Sequence, residues 1–252
     1  MKISIVTVAY NSGATIESTL SSVEAQAYPD LEYIVVDGGS TDNTLSQVEK
    51  YPSLVTKLIS EPDQGIYDAM NKGIFNATGE VIGILNSDDF YSHPNVLNEV
   101  AAAFSEDPTL DVLLGDVDFV ADHDLVKPIR IYQTGSFKPW MLRFGMMPPH
   151  PAVFVRKGAY ERVGLYKLGY RIAADFDFMV RLLLIDNANY LVTNQRWVRM
   201  RTGGASTSGW RSNFISTKEM LRSLRENDVF SSMPMVLIRL PIKLIRQVMF
   251  KP

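Results

Sequence analysis

The chain has 252 residues, of which 46% are hydrophobic and 21% charged, as in an ordinary soluble globular protein with a sizeable core. It contains no cysteine, so disulfide bonds, thiolate catalysis and cysteine-based zinc sites are excluded. The net charge of −3 hides an asymmetry, because residues 1–195 hold 14 Lys and Arg against 25 Asp and Glu, whereas residues 196–252 hold 11 against 3, as in chains with a basic interaction tail.

Strands alternate with helices over the first hundred residues. The predicted strands cover residues 2–8, 31–36, 54–59 and 80–85. The predicted helices follow after an N-cap at Asn11-Ser12, at about residues 43–51 and over residues 66–77. The first helix shows the typical spacing in Ile16, Leu20 and Val23. This alternation predicts an α/β fold with a mostly parallel sheet flanked by helices. The loops after the strands would open at one edge of the sheet, where such folds bind ligands.

Two adjacent carboxylates, Asp88 and Asp89, follow the fourth strand. Because neighbouring carboxylates repel each other, such a pair at the end of a buried strand usually needs a cation or a proton to reconcile it. Hard oxygen ligands of this kind suit Mg²⁺ or Mn²⁺, whose other ligands are water and phosphate oxygens. A simple turn is an equally good interpretation, since Asn, Ser and Asp all favour turns.

The middle of the chain is less regular. A helix leads to two strands, over residues 110–120 and 125–132, that can pair as a small antiparallel ribbon. Residues 134–151 are rich in Pro, Gly, Met and aromatic residues. They predict either an apolar-lined loop that contacts a substrate or a segment that packs on the core. Trp140 and His150 are the candidate contacts in this segment.

Apolar residues at helical spacing predict a helix over residues 175–186. Asp175 stands at its start, where it can be the N-cap or point into a cleft. Asp177 lies four residues before Arg181, at the spacing of a helix-surface ion pair. Because residues two apart do not share a helix face, the two aspartates should have separate roles.

A loop over residues 199–209 combines Arg199 and Arg201 with small, flexible residues. Such a loop can grip phosphate oxygens with guanidinium and backbone N–H groups, or it can be a plain linker. A basic helix is predicted over residues 210–225. No Walker A, G-x-G-x-x-G, G-x-S-x-G or H-E-x-x-H motif is present.

Four loop motifs occur in order over the first hundred residues. They are Val6-Thr7-Val8-Ala9-Tyr10-Asn11, Val36-Asp37-Gly38-Gly39-Ser40-Thr41-Asp42, Pro62-Asp63-Gln64-Gly65 through Met70-Asn71-Lys72-Gly73, and Leu85-Asn86-Ser87-Asp88-Asp89. Taken together, these motifs resemble those of the inverting nucleotide-sugar glycosyltransferases of family 2, which have the GT-A fold. The segment from Ala173 through Arg181 is similar to the catalytic-base helix of that family. The likeness is greatest to bacterial enzymes that assemble capsule, exopolysaccharide or lipopolysaccharide.

For the nucleoside of a nucleotide-sugar donor, the resemblance implies contacts with three residues. Tyr10, Asp37 and Asp63 would flank the nucleoside, and Asn11 belongs to the same donor-binding set. Asp37 would accept a hydrogen bond from the base, which favours uracil and still allows guanine.

For the diphosphate, the resemblance implies a divalent metal, Mn²⁺ or Mg²⁺, bound by Asp88. Asn86 and Asp89 would contact the ribose or the water ligands of the metal. Arg201 and the Gly203-Gly204 loop would cover the diphosphate.

For the reaction, the resemblance implies that Asp175 is the general base. Three residues depart from the pattern, with Asn86 where many members have Asp, Ala174 where many have Glu, and Met70 where many have Arg. The Q-x-x-R-W motif of processive members is absent, because Gln195-Arg196-Trp197 lacks the spacing. We therefore expect one sugar to be added per encounter.

The function implied is that of a metal-dependent inverting glycosyltransferase. It would move a hexosyl or N-acetylhexosaminyl group from a UDP- or GDP-sugar to a glycan acceptor, lipid-linked, in bacterial surface polysaccharide synthesis. One alternative is a sugar-1-phosphate nucleotidyltransferase, although the loop after the first strand lacks the cations of such enzymes. Another is a non-catalytic nucleotide-sugar-binding subunit, because Asn86 and Ala174 depart from the usual residues of two motifs.

We expect a glycosyltransferase domain over residues 1–228 and a basic amphipathic tail over residues 229–252. Within the domain, residues 1–110 would bind the nucleotide sugar and residues 111–228 the acceptor.

In the tail, Arg239, Lys243 and Arg246 fall on one helical stripe among the apolar residues 233–250. Three cations and a central proline argue against a membrane-spanning helix, and a nucleic-acid arm would not need so much aliphatic surface. The pattern predicts a helix that lies on an anionic membrane surface, and the alternative is a helix that packs on the domain. The N-terminus makes a poor signal peptide, so we expect a cytoplasmic protein on the inner face of the cytoplasmic membrane.

Overall fold

The computed structural model describes residues 1–202 and 209–242. Four parallel strands form its first half, and they are β1 (Ile3–Ala9), β2 (Leu31–Asp37), β3 (Lys57–Ser60) and β4 (Val81–Ile84). Their order across the sheet is β3-β2-β1-β4. All four were predicted. Because they run in one direction, the loops that follow them meet at one edge of the sheet, as expected.

Helices cover both faces of these strands, and they are α1 (Ile16–Glu24), α2 (Thr44–Val48), α3 (Ile66–Asn76) and α4 (Val96–Glu106). On one face of the sheet, Ile74 of α3 packs in a core with Val6 and Ile34. On the other face, Leu20 of α1 packs with residues of the same strands whose side chains point to that side, because side chains alternate along a strand. Gly73 lets α3 approach the sheet, because a Cβ there would lie 2.2 Å from Cγ1 of Val6.

Five further strands complete a nine-stranded sheet in the described residues. They are β5 (Phe90–Tyr91), β6 (Val112–Ala121), β7 (Asp124–Tyr132), β8 (Val153–Arg156) and β9 (Tyr190–Arg201). The order is β3-β2-β1-β4-β8-β6-β9-β5, with β7 beside β6. The α/β class with a mostly parallel sheet is confirmed, as is the antiparallel ribbon of β6 and β7. The strands β5, β8 and β9 were not predicted.

The described residues of the second half include the helices α5 (Lys157–Val163), α6 (Ala174–Val180), α7 (Gly209–Glu226) and α8 (Met233–Leu237). α6 continues into a π-helical turn over Arg181–Ile185, so the helix predicted over residues 175–186 is confirmed. The basic helix predicted over residues 210–225 is α7. The segment predicted to be irregular contains two 3₁₀ turns, Pro139–Phe144 and His150–Ala152.

Asp177 is fully buried, so its predicted place on the helix surface is wrong. Arg181 does donate a hydrogen bond to its Oδ2 over 2.8 Å, as the spacing indicated. Its Oδ1 accepts hydrogen bonds from Ser223 at 2.9 Å and Asn227 at 3.0 Å, and Nζ of Lys167 lies 3.3 Å away. A carboxylate can be buried here because every side of it has a donor. Asp177 thus joins α6 to α7.

The described part of the tail packs against the domain. Val236 of α8 is buried in the same apolar cluster as Leu224 of α7. Residues 239–242 are helical, and Arg239 donates a hydrogen bond from Nη2 to Oγ1 of Thr217 over 2.8 Å. The prediction that Arg239 faces membrane headgroups is therefore wrong, since α7 supplies hydroxyl acceptors for its guanidinium.

Lys243 and Arg246, the other two cations of the predicted stripe, lie outside the described residues. In the described part of the chain, no helix is both long enough and apolar enough to cross a membrane. The division into a domain over residues 1–228 and a tail over residues 229–252 stays a prediction.

Candidate functional site

The loops at the carboxyl edge of the sheet line one open cleft of about 1850 Å³. β7, the segment before β8, the start of α6, part of α7 and residues 239–242 complete its wall. The predicted site residues that line it are Tyr10, Asn11, Asp63, Asn86, Asp88, Asp89, Asp175 and Arg201. Residues from both halves of the sequence therefore meet in one place. Asp37 is the predicted site residue that does not line the cleft.

Tyr10 and Asn11 form the rim of the cleft directly after β1. Asn11 has a φ of 49°, a left-handed conformation that asparagine tolerates better than most residues. Its Oδ1 accepts a hydrogen bond from the N–H of Thr41 at 2.9 Å, and its own N–H donates to Oγ of Ser40 at 2.8 Å. Asn11 thus ties the loop after β1 to the loop after β2. The ring of Tyr10 is left 64% exposed, where a planar group can stack on it.

Asp37, at the end of β2, is completely buried. Its carboxylate accepts hydrogen bonds from the N–H groups of Gly39 at 3.2 Å and Ser40 at 3.1 Å, and from Oγ of Ser60 at 2.8 Å. These bonds hold the loop after β2 in a tight turn. The placement does not support the predicted direct contact between Asp37 and a base, because its oxygens are turned inward onto the loop.

Asp63 lies over that same loop and faces the cleft. Its Oδ1 accepts a hydrogen bond from the N–H of Gly65 at 2.8 Å. A Cβ on Gly38 would come within 2.2 Å of Oδ2 of Asp63. Glycine is therefore needed at position 38 so that the Asp63 carboxylate can rest against the loop backbone.

Asn86, Asp88 and Asp89 form the turn after β4. Burial and the neighbouring Asp88 raise the pKa of Asp89 well above its usual value, and burial also raises the pKa of Asp88. Nδ2 of Asn86 donates a hydrogen bond to Oδ2 of Asp89 at 3.0 Å, which partly offsets the repulsion. Oδ1 of Asn86 is buried and accepts no hydrogen bond from the described residues.

Arg201, at the end of β9, interacts electrostatically with both carboxylates of this turn. It lowers the pKa of both Asp88 and Asp89 against the larger effect of burial. Its Nη2 donates a hydrogen bond to Ser18 at 3.0 Å, and its Nη1 lies 3.3 Å from the carboxylate of Asp122. Its Nε is buried without a partner among the described residues. Gly203 and Gly204, predicted to act with Arg201, lie outside the described residues.

The turn after β4 fits a metal ion that takes most of its ligands from water and a bound phosphate rather than from the protein. In the described parts of the chain, no three Asp, Glu or His side chains are grouped to hold a metal ion. Mg²⁺ and Mn²⁺ commonly attach to one or two carboxylates and to phosphate and water oxygens. Two carboxylates with raised pKa values and the unsatisfied Oδ1 of Asn86 are consistent with that kind of site.

Asp175 is the second residue of α6, and its carboxyl lines the cleft. The N-cap position belongs to Ala173, so the interpretation of Asp175 as the cap is wrong. Its Oδ1 accepts hydrogen bonds from the N–H of Phe176 at 2.8 Å and from the hydroxyl of Tyr67 at 3.2 Å. Burial outweighs these bonds and raises the pKa of Asp175 to about 6.

Two residues that place Asp175 were not predicted. The first is Tyr67 of α3, the hydroxyl donor to Asp175. The second is Glu219 of α7, whose carboxylate accepts hydrogen bonds from the backbone N–H groups of Arg171, Ile172 and Ala173 at 2.7 to 2.9 Å. Both contacts join residues more than forty positions apart. A single sequence carries no local signal for them.

The segment over residues 134–151 both lines the cleft and packs on the core. Leu142 is buried in the core, whereas Trp140 is exposed. Nε2 of His150 is 2.6 Å from the hydroxyl of Tyr166, and burial lowers the pKa of His150 to about 4. His150 is therefore neutral at pH 7 and acts as a polar wall residue of the cleft. Part of this segment therefore packs on the core and part lines the cleft, although Trp140 is not among the lining residues. Contact of the segment with a substrate stays a prediction.

The comparisons with known proteins agree on one family. The model of the family described as Glycosyl transferase family 2 matches residues 4–164. A PGL/p-HBAD biosynthesis glycosyltransferase of Mycobacterium bovis is 34% identical over 224 residues, which are 88% of this chain and 83% of that protein. An uncharacterized glycosyltransferase of Mycobacterium tuberculosis is 32% identical over 185 residues, 73% of this chain and 69% of that one.

Solved structures show the same fold. S. aureus TarS 1-349 in complex with UDP-GlcNAc matches with a TM-score of 0.70 at 22% identity, over 89% of this chain and 66% of that chain. The mannosyltransferase PcManGT from Pyrobaculum calidifontis, in complex with GDP-Man and Mn²⁺, matches with a TM-score of 0.66 at 19% identity, over 88% of this chain and 64% of that chain. The family match covers more than half of the sequence. This chain therefore belongs to glycosyl transferase family 2, and its fold is the GT-A fold.

Proposed function

We propose that this protein is a metal-dependent, inverting glycosyltransferase. It would transfer a sugar from a UDP- or GDP-sugar to a lipid-linked glycan acceptor in bacterial surface polysaccharide synthesis. One observation carries the proposal: Asp175, whose pKa is raised to about 6, lines the same cleft as Asp88 and Arg201. Displacement with inversion needs a base for the acceptor and positive charge for the departing diphosphate. The cleft offers groups suited to both tasks.

In the proposed reaction, the acceptor hydroxyl oxygen attacks the anomeric carbon from the face opposite the diphosphate. As the new carbon–oxygen bond forms, the carboxylate of Asp175 takes the hydroxyl proton. The bond from the anomeric carbon to the diphosphate breaks, and its electron pair leaves with the nucleoside diphosphate. With a pKa of about 6, Asp175 is mostly ionised at neutral pH and is a stronger base than an exposed aspartate.

The donor would lie along the carboxyl edge of the first four strands. The exposed ring of Tyr10 gives the base a face to stack on, and the carboxylate of Asp63 is an acceptor for sugar hydroxyls. The guanidinium of Arg201 offers positive charge to the diphosphate, with an Nε–H that lacks a partner among the described residues. Asn11 and Asp37 would act by fixing the loops that carry these groups.

Asp88 would hold Mn²⁺ or Mg²⁺, with Asn86 and Asp89 around it. When bound, the metal supplies positive charge to the leaving diphosphate. The raised pKa values of Asp88 and Asp89 support this assignment, because a cation would stabilise both ionised carboxylates. PcManGT, which shares the fold, is solved with Mn²⁺.

The donor class is inferred from proteins of the same fold. TarS is solved with UDP-GlcNAc and PcManGT with GDP-Man. We extend this to a hexosyl or N-acetylhexosaminyl group for the present chain. The absence of a Q-x-x-R-W motif supports addition of one sugar per encounter.

The membrane is the proposed meeting place with the acceptor. Exposed apolar side chains collect where the tail begins, and they are Phe230, Met233, Leu237 and Ile238. Arg239 donates a hydrogen bond to α7, but Lys243 and Arg246 add positive charge to the sequence that follows these apolar residues. Apolar side chains with nearby cations favour peripheral binding to an anionic surface. We therefore propose a cytoplasmic enzyme on the inner face of the cytoplasmic membrane.

Incubation of the purified chain with a panel of UDP- and GDP-sugars and Mn²⁺ tests this function. We expect one donor to bind and to be hydrolysed slowly to sugar and nucleoside diphosphate. If no donor of the panel bound to the chain and none was hydrolysed, the proposal would be contradicted. Release of pyrophosphate from a nucleoside triphosphate and a sugar phosphate would indicate a nucleotidyltransferase instead.

A further inference from the structure

Two arginines line the cleft without a carboxylate partner among the described residues. They are Arg130 of β7 and Arg239, which follows α8. Neither makes an ion pair with a described residue, whereas Arg196 and Arg201 in the same cleft pair with carboxylates. The stretches outside the described ranges contain no Asp or Glu that could supply one. Both side chains are partly buried in the cleft wall, where a cation without a counterion is less favourable than in open solvent.

Arg239 is held so that part of its guanidinium has no partner. Its Nη2 donates hydrogen bonds to Thr217 at 2.8 Å and to Ser216 at 3.2 Å. Its Nε is buried and has no acceptor among the described residues. Its aliphatic stem passes Gly145, where a Cβ would lie 2.9 Å from Cδ of the arginine. Gly145 also has a φ of 68°, so this position suits glycine on two counts.

Arg130 and Tyr132 are two residues apart on β7 and therefore share one face of that strand. The guanidinium carbon of Arg130 is 3.7 Å from the ring centroid of Phe119. Burial lowers the pKa of both arginines, and the phenol of Tyr132 acts on both in the opposite direction. No described carboxylate acts on the pKa of either one. Arg130, Tyr132 and Arg239 all line the cleft, and together they are called here the arginine surface.

The arginine surface differs from the donor end of the cleft. Arg201 lowers the pKa values of Asp88 and Asp89, whereas neither Arg130 nor Arg239 affects them. Met147, whose carbonyl oxygen accepts a hydrogen bond from Tyr132 at 2.9 Å, lines the cleft beside the surface. Other apolar residues of this part of the wall are Met146, Met220, Leu240 and Ile242. A group bound here would have cations on one side and thioether and aliphatic side chains on the other.

We propose that the arginine surface binds a phosphate group that the acceptor carries on an apolar chain. Guanidinium groups match phosphate oxygens in a bidentate geometry, and a phosphate would give both arginines the anionic partner that no described carboxylate supplies. The apolar wall favours a phosphate ester of a lipid alcohol over a free phosphate. This inference rests on the proposed function where it names the occupant as the acceptor, and binding can be measured without transfer.

Titration of the full chain with three probes tests the inference. The probes are geranyl phosphate, geraniol and inorganic phosphate, each added with and without UDP and Mn²⁺. We expect geranyl phosphate to bind at least about tenfold more tightly than geraniol, as one charge-assisted contact would give, and more tightly than inorganic phosphate. Equal affinities for geranyl phosphate and geraniol would overturn the proposal. Equal affinities for geranyl phosphate and inorganic phosphate would overturn the lipid source.

Variants then assign the binding to these residues. Arg130→Met and Arg239→Met keep an apolar stem and remove the charge, so each should weaken geranyl phosphate binding by about tenfold or more. Arg239→Lys should weaken it less. The matched control is Arg225→Met, an exposed cation of α7 away from the cleft, which should bind like the unaltered chain. Thermal melting identifies any variant that has lost its fold.

Two results would contradict the assignment. In the first, the Met variants of Arg130 and Arg239 bind geranyl phosphate as well as Arg225→Met does. In the second, both variants lose UDP binding to the same extent, which would assign the arginines to the donor diphosphate. Because neither readout requires sugar transfer, this proposal and the proposed function can fail separately.

Discussion

Asp175 should ionise at a higher pH than an exposed aspartate, and the pH dependence of the transfer rate should show this. Burial raises its pKa from the usual 3.8 to about 6, and only the ionised form can take the acceptor proton. We expect kcat/KM for the acceptor to rise with pH and to reach half of its plateau near the pKa of Asp175, about 6. A pH–rate profile from about pH 4.5 to 8 measures this. A profile flat over that whole interval would contradict the assigned role.

The turn after β4 should respond to a divalent cation. Because burial and mutual repulsion raise the pKa values of Asp88 and Asp89, Mn²⁺ should stabilise the folded chain by neutralising them. We expect Mn²⁺ with UDP to raise the melting temperature of the unaltered chain, and Asp88→Asn to abolish most of the rise. Differential scanning fluorimetry measures both.

The control for this experiment is Asp228→Asn, an exposed aspartate at a φ of 54° that lies far along the chain from the turn. It should keep the full response to Mn²⁺. An Asp88→Asn variant that responded as strongly as Asp228→Asn would exclude Asp88 as the metal ligand.

At the residue scale, the sequence was informative where short motifs stand at strand ends. The placement of Asp88, Asp89 and Asp175 at the cleft could be predicted because each occupies a recognisable position in the chain, while their roles stay predictions. The inward turn of Asp37 could not, because it depends on Ser60 of a neighbouring strand. Burial of Asp177 also depends on α7, whose contacts no local pattern shows.

At the element scale, α7 should determine where α6 begins. Glu219 accepts three backbone hydrogen bonds from the residues before α6 and raises the pKa of Asp175. In Glu219→Gln the amide has one acceptor oxygen, so we expect kcat to fall about tenfold or more while donor affinity changes little. The acid limb of the pH–rate profile should also move to lower pH, because a nearby negative charge is removed.

Glu226→Gln provides the matched control for Glu219. This residue of the same helix pairs with Arg222 and Lys167 at the surface, where such pairs contribute little. Its rate and pH profile should be nearly unchanged. If Glu219→Gln behaved in the same way, α7 would not be positioning Asp175.

The elements of the first half could be predicted, and several of the second half could not. β1 and β2 are continuous buried runs, and regular alternation with helices identifies a parallel sheet. β8 has four residues and β5 two, which are too short for a periodic signal. β9 mixes polar and apolar residues along a largely half-exposed strand, so it shows neither alternation nor a buried run.

At the scale of the whole molecule, the excess of cations after residue 195 is not confined to a basic tail, as the sequence had suggested. Arg196, Arg199 and Arg201 belong to β9 inside the sheet rather than to a tail. Arg239 is bound by α7. The basic end of the sequence therefore supplies cations to the cleft as well as to the surface, a distinction that composition alone cannot make.

Exposed apolar side chains at the start of the tail should attach the molecule to a membrane. We expect the chain to sediment with phosphatidylcholine vesicles that contain phosphatidylglycerol. Replacement of Met233, Leu237 and Ile238 by glutamine should reduce the bound fraction at least about tenfold, since each buries apolar surface in the interface. The control carries the same substitution at exposed apolar residues elsewhere, namely Phe75, Val126 and Leu168. Equal binding by the two variants would contradict the membrane proposal.

The central claim is that Asp175 is the base of a sugar transfer in this cleft, and Asp175→Asn tests it most directly. Asparagine keeps the size of the side chain and an oxygen that can accept the hydrogen bonds of Phe176 and Tyr67. It cannot take a proton, so we expect kcat to fall about 10²–10⁴-fold. The donor dissociation constant, measured by calorimetry on the same preparation, should stay within about threefold. A variant that kept both its rate and its donor affinity would show that Asp175 is not the base.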